Sequence, residues 1–389
     1  MTPVAAPLRL DSHRQTDAIL LSGVTGFVGA AVLARYLERT ERPLVALVRA
    51  GSSREAEARL RGVLDELYEP GVAEAYADRC TAVAGDLARP ALGLGPADRE
   101  ELARRVSEVV HCAASVSFEQ PLAEARAVNV AGARRMAELA ELCGARGDGL
   151  RRLVHVSTAY VAGEHDGVFT EDDPGAGRRF RNTYEQTKHE AEALLRSWPA
   201  PLPLQIVRPS IVVGEHATGW TRAFNVLYWP LQMFASGRLP VIPAVSDAPV
   251  DVVSVDYVAD AIVALEDAPA ATYHVVAADQ ASTVGEIIEL ASRRFGVPEP
   301  VVVPPERLAL ALAAPLPEAQ RGALDRARVY FPYFGLRLRF DDHQTRGLLA
   351  PAGVRPAPLS AYFDRLMDYA ERARWGRSPL PRRELAVAV

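Results

Sequence analysis

Residues 18–29 restrict this chain to few folds. Ala18-Ile19-Leu20-Leu21-Ser22 is a short apolar run that ends in Gly23-Val24-Thr25-Gly26-Phe27-Val28-Gly29, after which 30–38 carries helical periodicity. Glycines three apart let the backbone turn sharply, approach a diphosphate where a Cβ would stand in the way, and pack helix against strand. The helix N-terminus then offers free N–H groups to the anion. Further apolar runs at 43–48, 81–87, 106–112, 153–157 and 204–207 alternate with helical patterns. Strands alternating with helices from 18 to 214 predict an α/β fold, a doubly wound parallel sheet of Rossmann type.

After Gly214 the rhythm changes. An aromatic helical stretch at 224–234 is followed by apolar runs at 250–255 and 272–276, and the chain is Pro-rich from 304. We expect a nucleotide-binding domain over 18–214 and a smaller C-terminal cap and helical region over 215–375, some of whose segments rejoin the sheet. Tails are expected at 1–17 and 376–389. A hydrophobic content of 49% with 24% charged residues is that of a globular protein. A net charge of −5 gives no field for nucleic acid. Three cysteines without a Cys-x-x-Cys imply reduced thiols and a cytoplasmic location. Residues 1–17 lack an apolar core, and the most apolar later stretch, 308–316, is short and contains Pro315, so no transmembrane segment is expected. No His-Glu-x-x-His or similar spacing suggests a metal. The oligomeric state is left open.

In an open parallel sheet, ligands bind beyond the carboxyl ends of the strands. The second strand ends in Leu47-Val48-Arg49, where an NAD-binding fold would place a carboxylate for the ribose 2′-hydroxyl. Arg49, with Arg54 or Arg59 after it, instead suits a 2′-phosphate and points to NADPH. Asp86, beside Leu87, is placed to meet the adenine amine, and Ala113, Ala114 and Ser115 let the chain pass close under the cofactor; Asn129 in the next helical stretch joins this set. His111 and Cys112 point to opposite faces of their strand, which argues against a nucleophile pair. Thr158, at the end of the fifth strand, is the expected partner of a substrate oxygen, whereas Ser157 faces the core. Three arginines at 178, 179 and 181 form either a solvated loop or a docking patch for an acidic partner.

The most telling pair is Tyr184 and Lys188. Lys188 is the only lysine; the other 43 of 44 Lys plus Arg residues are arginine. With 12 tyrosines in the chain, a lysine placed at random would fall four residues after one only about 3% of the time. Lys is a compact charge on a flexible stem and reaches a hydroxyl in a way that the planar guanidinium does not. Four residues apart on a helix, the two side chains share a face, so the phenol and the ammonium are expected to meet.

Together, the Gly23 to Gly29 loop, Thr158, the Tyr184/Lys188 pair and Arg208-Pro209-Ser210 resemble the extended short-chain dehydrogenase/reductases. More narrowly, Val48-Arg49-Ala50, His111-Cys112-Ala113-Ala114-Ser115-Val116-Ser117-Phe118, Ser157-Thr158-Ala159-Tyr160-Val161 and Tyr330-Phe331-Pro332-Tyr333 are similar to the thioester reductase and fatty acyl-CoA reductase branch, the male-sterility type. Ser22 stands where the wider family usually has Thr. The resemblance implies hydride transfer from NADPH to an acyl thioester carried on CoA or an acyl carrier protein, giving an aldehyde and, with a second hydride, the alcohol. It casts Thr158 and Tyr184 as donors to the carbonyl oxygen, Lys188 as the residue holding the nicotinamide ribose, and Pro209, Ser210 and Ile211 as a brace for the nicotinamide face. The alternative is an extended-family enzyme for another carbonyl or carbinol: a ketone or aldehyde reductase, a hydroxy-ketone dehydrogenase, or a nucleotide-sugar epimerase or dehydratase.

Overall fold

In the structure, a computed structural model that describes residues 17–224, 226–305, 322 and 329–385, the apolar runs become strands. Residues 1–16 and the apolar stretch 308–316 lie outside the described residues. β1 (Ala18–Ser22), β2 (Leu44–Arg49), β3 (Cys80–Gly85), β4 (Val106–His111) and β5 (Arg152–Val156) alternate with α1 (Phe27–Arg39), α2 (Ser53–Leu67) and α3 (Pro70–Ala77), α4 (Pro96–Arg105) and α5 (Leu122–Arg146). Then come β6 (Gly167–Phe169), α6 (Thr183–Arg196), β7 (Leu204–Pro209) and β8 (Ile211–Val213). The C-terminal part holds α7 (Tyr228–Ala235), β9 (Val241–Pro243), β10 (Pro249–Val250), β11 (Val252–Ser254), α8 (Val255–Ala264), β12 (Thr272–Val275), β13 (Ser282–Thr283), α9 (Val284–Phe295) and β14 (Val301–Val303). It ends with β15 (Leu338–Phe340), α10 (His343–Leu349) and α11 (Phe363–Arg372).

Seven strands form one parallel sheet in the order β12-β7-β5-β4-β1-β2-β3. All residues of β1, β4 and β5 are buried, as expected of strands covered by helices on both faces. The chain runs outward from β1 to β3 and then returns to β4 on the other side of β1. That reversal opens a crevice at the carboxyl ends of β1 and β4. The seventh strand, β12, comes from the C-terminal region, so the cap rejoins the sheet.

Polar side chains fix the frame. At the opposite end of the sheet Glu108, fully buried, accepts from Arg152 Nε at 2.8 Å and pairs with Arg42 at 2.5 Å, while Arg152 Nη2 donates to Tyr36 Oη at 2.6 Å. Buried Glu171 accepts from the backbone N–H groups of His274 at 3.0 Å and Gln344 at 2.8 Å, fastening α10 to β12. Residues 376–385, expected as a loose tail, are instead docked. Arg382 pairs with Glu215 at 2.6 Å and Glu38 at 3.2 Å, Tyr369 Oη donates to Leu380 O at 3.0 Å, and Leu385 is buried. The tail's charges have partners some 170 and 340 residues away by sequence, which local polarity does not reveal.

Candidate active site

A cleft of about 890 Å³ follows the crevice from Arg49 and Arg59 past the glycine loop to Thr158, Tyr184 and Lys188. At its centre α1 begins without any side-chain cap and without an acid in its first turn. By contrast Ser52 caps α2 and Asn182 caps α6. The first N–H groups of α1 therefore remain available to an anion. A Cβ on Gly23, whose φ is +85°, would lie 2.7 Å from Ala113 N, and one on Gly29 would overlap the Gly23 carbonyl. Both positions are closed to any larger residue. Arg59 donates to the Arg49 carbonyl, and both side chains are exposed at the tip of β2. An uncapped helix start, loop glycines that admit no side chain and two arginines at the far end form a cradle that fits a dinucleotide.

Thr158 stands two residues beyond the end of β5, where it caps the short turn 159–162. Its hydroxyl accepts from Tyr160 N at 3.2 Å, and Thr158 and Tyr184 line the cleft together. Burial raises the Tyr184 phenol to about 12, against the lowering effect of the neighbouring Thr158 hydroxyl, with the nearby Glu185 carboxylate adding to the rise. The phenol is thus protonated and ready to donate at neutral pH. Lys188 is 2% exposed. Its ammonium donates to Val156 O at 2.7 Å and lies 3.2 Å from His155 Nε2, so its hydrogen bonds run to the end of β5 rather than to Tyr184. Helical spacing puts both side chains over β5, but the strand's last free carbonyl draws the amine. Burial lowers Lys188 to about 8, opposed by Glu192 and Cys112. Behind it, His155 packs near His111, whose Nδ1 is 2.8 Å from Ser22 Oγ. Burial holds both imidazoles neutral by pushing their pKa values down.

Beyond Thr158 and Tyr184 the walls are aromatic. Phe118 lies between Tyr184 and Tyr333, with ring centroids 6.0 and 5.7 Å away and planes tilted by 25° and 24°. Tyr160 meets Tyr333 edge to face at 5.3 Å, and Tyr330 borders the same space. The Tyr333 hydroxyl donates to buried Glu185 at 2.5 Å and accepts from Asn182 at 2.6 Å.

Of the residues expected to face a cofactor or substrate, Gly23, Thr25, Gly26, Phe27, Val28, Gly29, Arg49, Arg59, Asp86, Leu87, Ala113, Ala114, Thr158, Tyr184, Lys188, Pro209, Ser210 and Ile211 line the cleft. Ser115 and Asn129 lie behind it. The Asn129 amide accepts from Ser115 N at 2.8 Å and donates to Ser115 O at 3.0 Å and Thr187 Oγ1 at 2.9 Å, pinning the loop after β4 to α6. The arginines at 178, 179 and 181 do not form one patch: Arg178 pairs with Asp173 and Arg181 with Glu185, leaving only Arg179 well exposed, beside Glu164. Phe118, Tyr160, Tyr330, Tyr333 and Arg222 also line the cleft. The motifs around Phe118, Tyr160 and Tyr330 to Tyr333 stand out in the sequence, but the convergence of these residues and Arg222 from four separate segments does not. Among the described residues no group of His, Cys, Asp and Glu is placed to hold a metal, and no helix is long and apolar enough to cross a membrane.

A hydroxyl pair beside a buried lysine, set at the point where sheet order reverses, is the arrangement of the extended short-chain dehydrogenase/reductases. Residues 21–262 match the male sterility protein family of NAD-binding domains, and the chain belongs to that family. Among solved structures, the terminal R domain from the myxalamid PKS-NRPS biosynthetic pathway is similar with a TM-score of 0.77 at 26% identity, over 94% of this chain and 93% of that one. An isonitrile lipopeptide synthase of Streptomyces coeruleorubidus is 36% identical over 216 residues, 54% of this chain and 14% of the relative. The fatty acyl-CoA reductase wat of Drosophila melanogaster is 29% identical over 281 residues, 63% of this chain and 53% of the relative. The chain thus spans between about a seventh and about half of the length of these curated relatives.

Proposed function

We propose that this chain is an NADPH-dependent reductase that releases an acyl thioester, delivered on CoA or an acyl carrier protein, as the aldehyde. The observation that carries the reading is that Thr158, Tyr184 and Lys188 line one cleft with the glycine loop, where the dinucleotide groove meets an aromatic-walled space. The preference for NADPH is supported by Arg49 and Arg59, which line the cleft at the end of β2, where a 2′-phosphate would be neutralised and the strand itself ends in arginine in place of a carboxylate. Thioester delivery is supported by the relatives, whose names include a lipopeptide synthase and a fatty acyl-CoA reductase.

Bound NADPH supplies the hydride. Thr158 and Tyr184 receive the carbonyl oxygen, and Tyr184 passes its phenolic proton to that oxygen as negative charge develops there. Lys188 has three N–H donors, two of them directed at Val156 O and His155. The third is left for the cleft, where it orients a ribose hydroxyl and places positive charge near the phenol. Addition of hydride and proton gives a hemithioacetal, which expels the thiol and leaves the aldehyde. A second hydride would take the aldehyde to the alcohol.

The test is NADPH oxidation with a panel of acyl-CoAs and acyl-carrier-protein thioesters, with aldehyde and alcohol products measured separately. Turnover of free ketones or aldehydes combined with none of any thioester would overturn the assignment.

A further inference from the structure

Arg222 comes from the cap side of the chain yet reaches the glycine loop. Its Nη1 donates to Thr25 O at 3.1 Å and Gly26 O at 3.4 Å, and its Nη2 donates to Glu66 Oε2 at 2.7 Å, near the end of α2. The side chain lines the cleft beside the uncapped start of α1. Its segment is anchored on both flanks. Trp220 is buried and packs on Phe27 at 6.3 Å, and Phe224 stacks on Tyr369 at 6.0 Å with planes 10° apart. The guanidinium is therefore fixed over the glycine loop beside the uncapped start of α1, and among the described residues its salt bridge is to Glu66.

We infer that Arg222 is the counter-charge of the cofactor diphosphate, supplied by the cap, and that Glu66 competes with the diphosphate for it. The inference rests on the reading that the cleft takes a nicotinamide dinucleotide. A guanidinium has five N–H donors in a rigid fork and matches phosphate oxygens two at a time. Here the loop carbonyls hold one side of the fork, and Glu66 holds the other. A diphosphate carries more negative charge than one carboxylate, and it would be met at the same time by the α1 N–H groups. Arg222 then turns its Glu66 side toward the diphosphate without leaving the loop, so that cofactor binding also draws the cap onto the nucleotide domain.

A static strut between cap and loop would use the same contacts, and opposite-sign effects separate the two. The measurement is the dissociation constant of NADPH, NADH and adenosine 2′-monophosphate for the full chain, by fluorescence titration without substrate. Arg222→Gln is expected to weaken NADPH and NADH alike by about tenfold, the loss of one charge-assisted contact, and to leave adenosine 2′-monophosphate, which has no diphosphate, unchanged. Glu66→Gln is expected to tighten both dinucleotides by about two- to fivefold. Arg222→Lys, which keeps charge but not the fork, should fall between Arg222→Gln and the unaltered chain. Weakening by Glu66→Gln, or unchanged affinity in Arg222→Gln, would overturn the inference while leaving the dinucleotide reading intact. Failure of the unaltered chain to bind either dinucleotide would overturn both.

Discussion

Lys188→Arg is the substitution most in keeping with this protein's own composition, yet the contacts of the amine are specific to its shape. The ammonium sits 2.7 Å from Val156 O and 3.2 Å from His155 Nε2 and is 2% exposed. A guanidinium is planar and larger, so its fork would displace His155 or push α6 away from β5. Overpacking of that kind costs about 1–3 kcal/mol. The new group would also carry its charge past Val156 O instead of leaving one N–H directed into the cleft. With the charge beside the phenol and the ribose contact both displaced, the proton transfer from Tyr184 is impaired; positioned general acids contribute about 10²- to 10⁴-fold, and a fall in thioester-dependent NADPH oxidation of at least the lower figure is expected. Lys188→Met keeps the stem and removes the charge, so it should lose as much activity while the fold is retained. Thermal unfolding and NADPH titration on both variants separate lost chemistry from lost structure. A Lys188→Arg enzyme whose kcat/KM lies within about threefold of the unaltered chain would refute the role given to the amine.

Other consequences follow from the same geometry. Because burial lowers Lys188 to about 8 while Tyr184 is raised to about 12, the ammonium is the first of the two to lose its proton as pH rises. The pH profile of kcat/KM should therefore bend downward near 8; a profile flat to pH 10 would contradict the role of the charged amine. Arg49→Glu places a carboxylate at the tip of β2 and should reverse the preference from NADPH to NADH, read as the ratio of their dissociation constants; an unchanged ratio would remove Arg49 from the 2′-phosphate site. Arg152→Met leaves fully buried Glu108 with only Arg42 and Tyr36 as partners. It should cost about 3 kcal/mol or more in chemical denaturation, the penalty for breaking one arm of a buried ion pair; a loss below about 1 kcal/mol would show that Arg42 alone suffices.

The sheet was legible because parallel strands buried on both faces appear in sequence as continuous apolar runs, and because the Gly23 to Gly29 turn joins a strand to a helix. Thr158 was legible for a related reason: a hydroxyl just after a buried strand has few places to be except the ligand face. Lys188 was found by its rarity, but its orientation was not, since helical spacing reports which face a side chain shares and not which carbonyl of a neighbouring strand captures it. The part Ser115 and Asn129 play inside the fold was not legible either. A polar amide near a cofactor loop suggests a ligand contact, yet here it satisfies a backbone turn that would otherwise be left unpaired. Arg222, the aromatic wall and the docked residues 376–385 depend on contacts between segments far apart in the chain, and no periodicity encodes those.

The aromatic wall bears on how catalysis and substrate choice are linked. Phe118 is held between the ring of Tyr184 and that of Tyr333, and the Tyr333 hydroxyl donates to Glu185, the residue after Tyr184. Asn182, which caps α6, also donates to Tyr333. The helix that carries Tyr184 is thus braced at its first turn by a residue of the C-terminal region, and the loop after β4 is clamped between them. Thr183 adds to this by donating to Gln120 O at 3.0 Å. Any change in the wall that enlarges or narrows the substrate space also moves the support of Tyr184. If the proposed function holds, substitutions at Tyr333 or Phe118 are expected to change substrate range and turnover together, whereas Tyr330, whose ring meets Phe118 and Trp229, is the position where the size of the space should change with Tyr184 least disturbed.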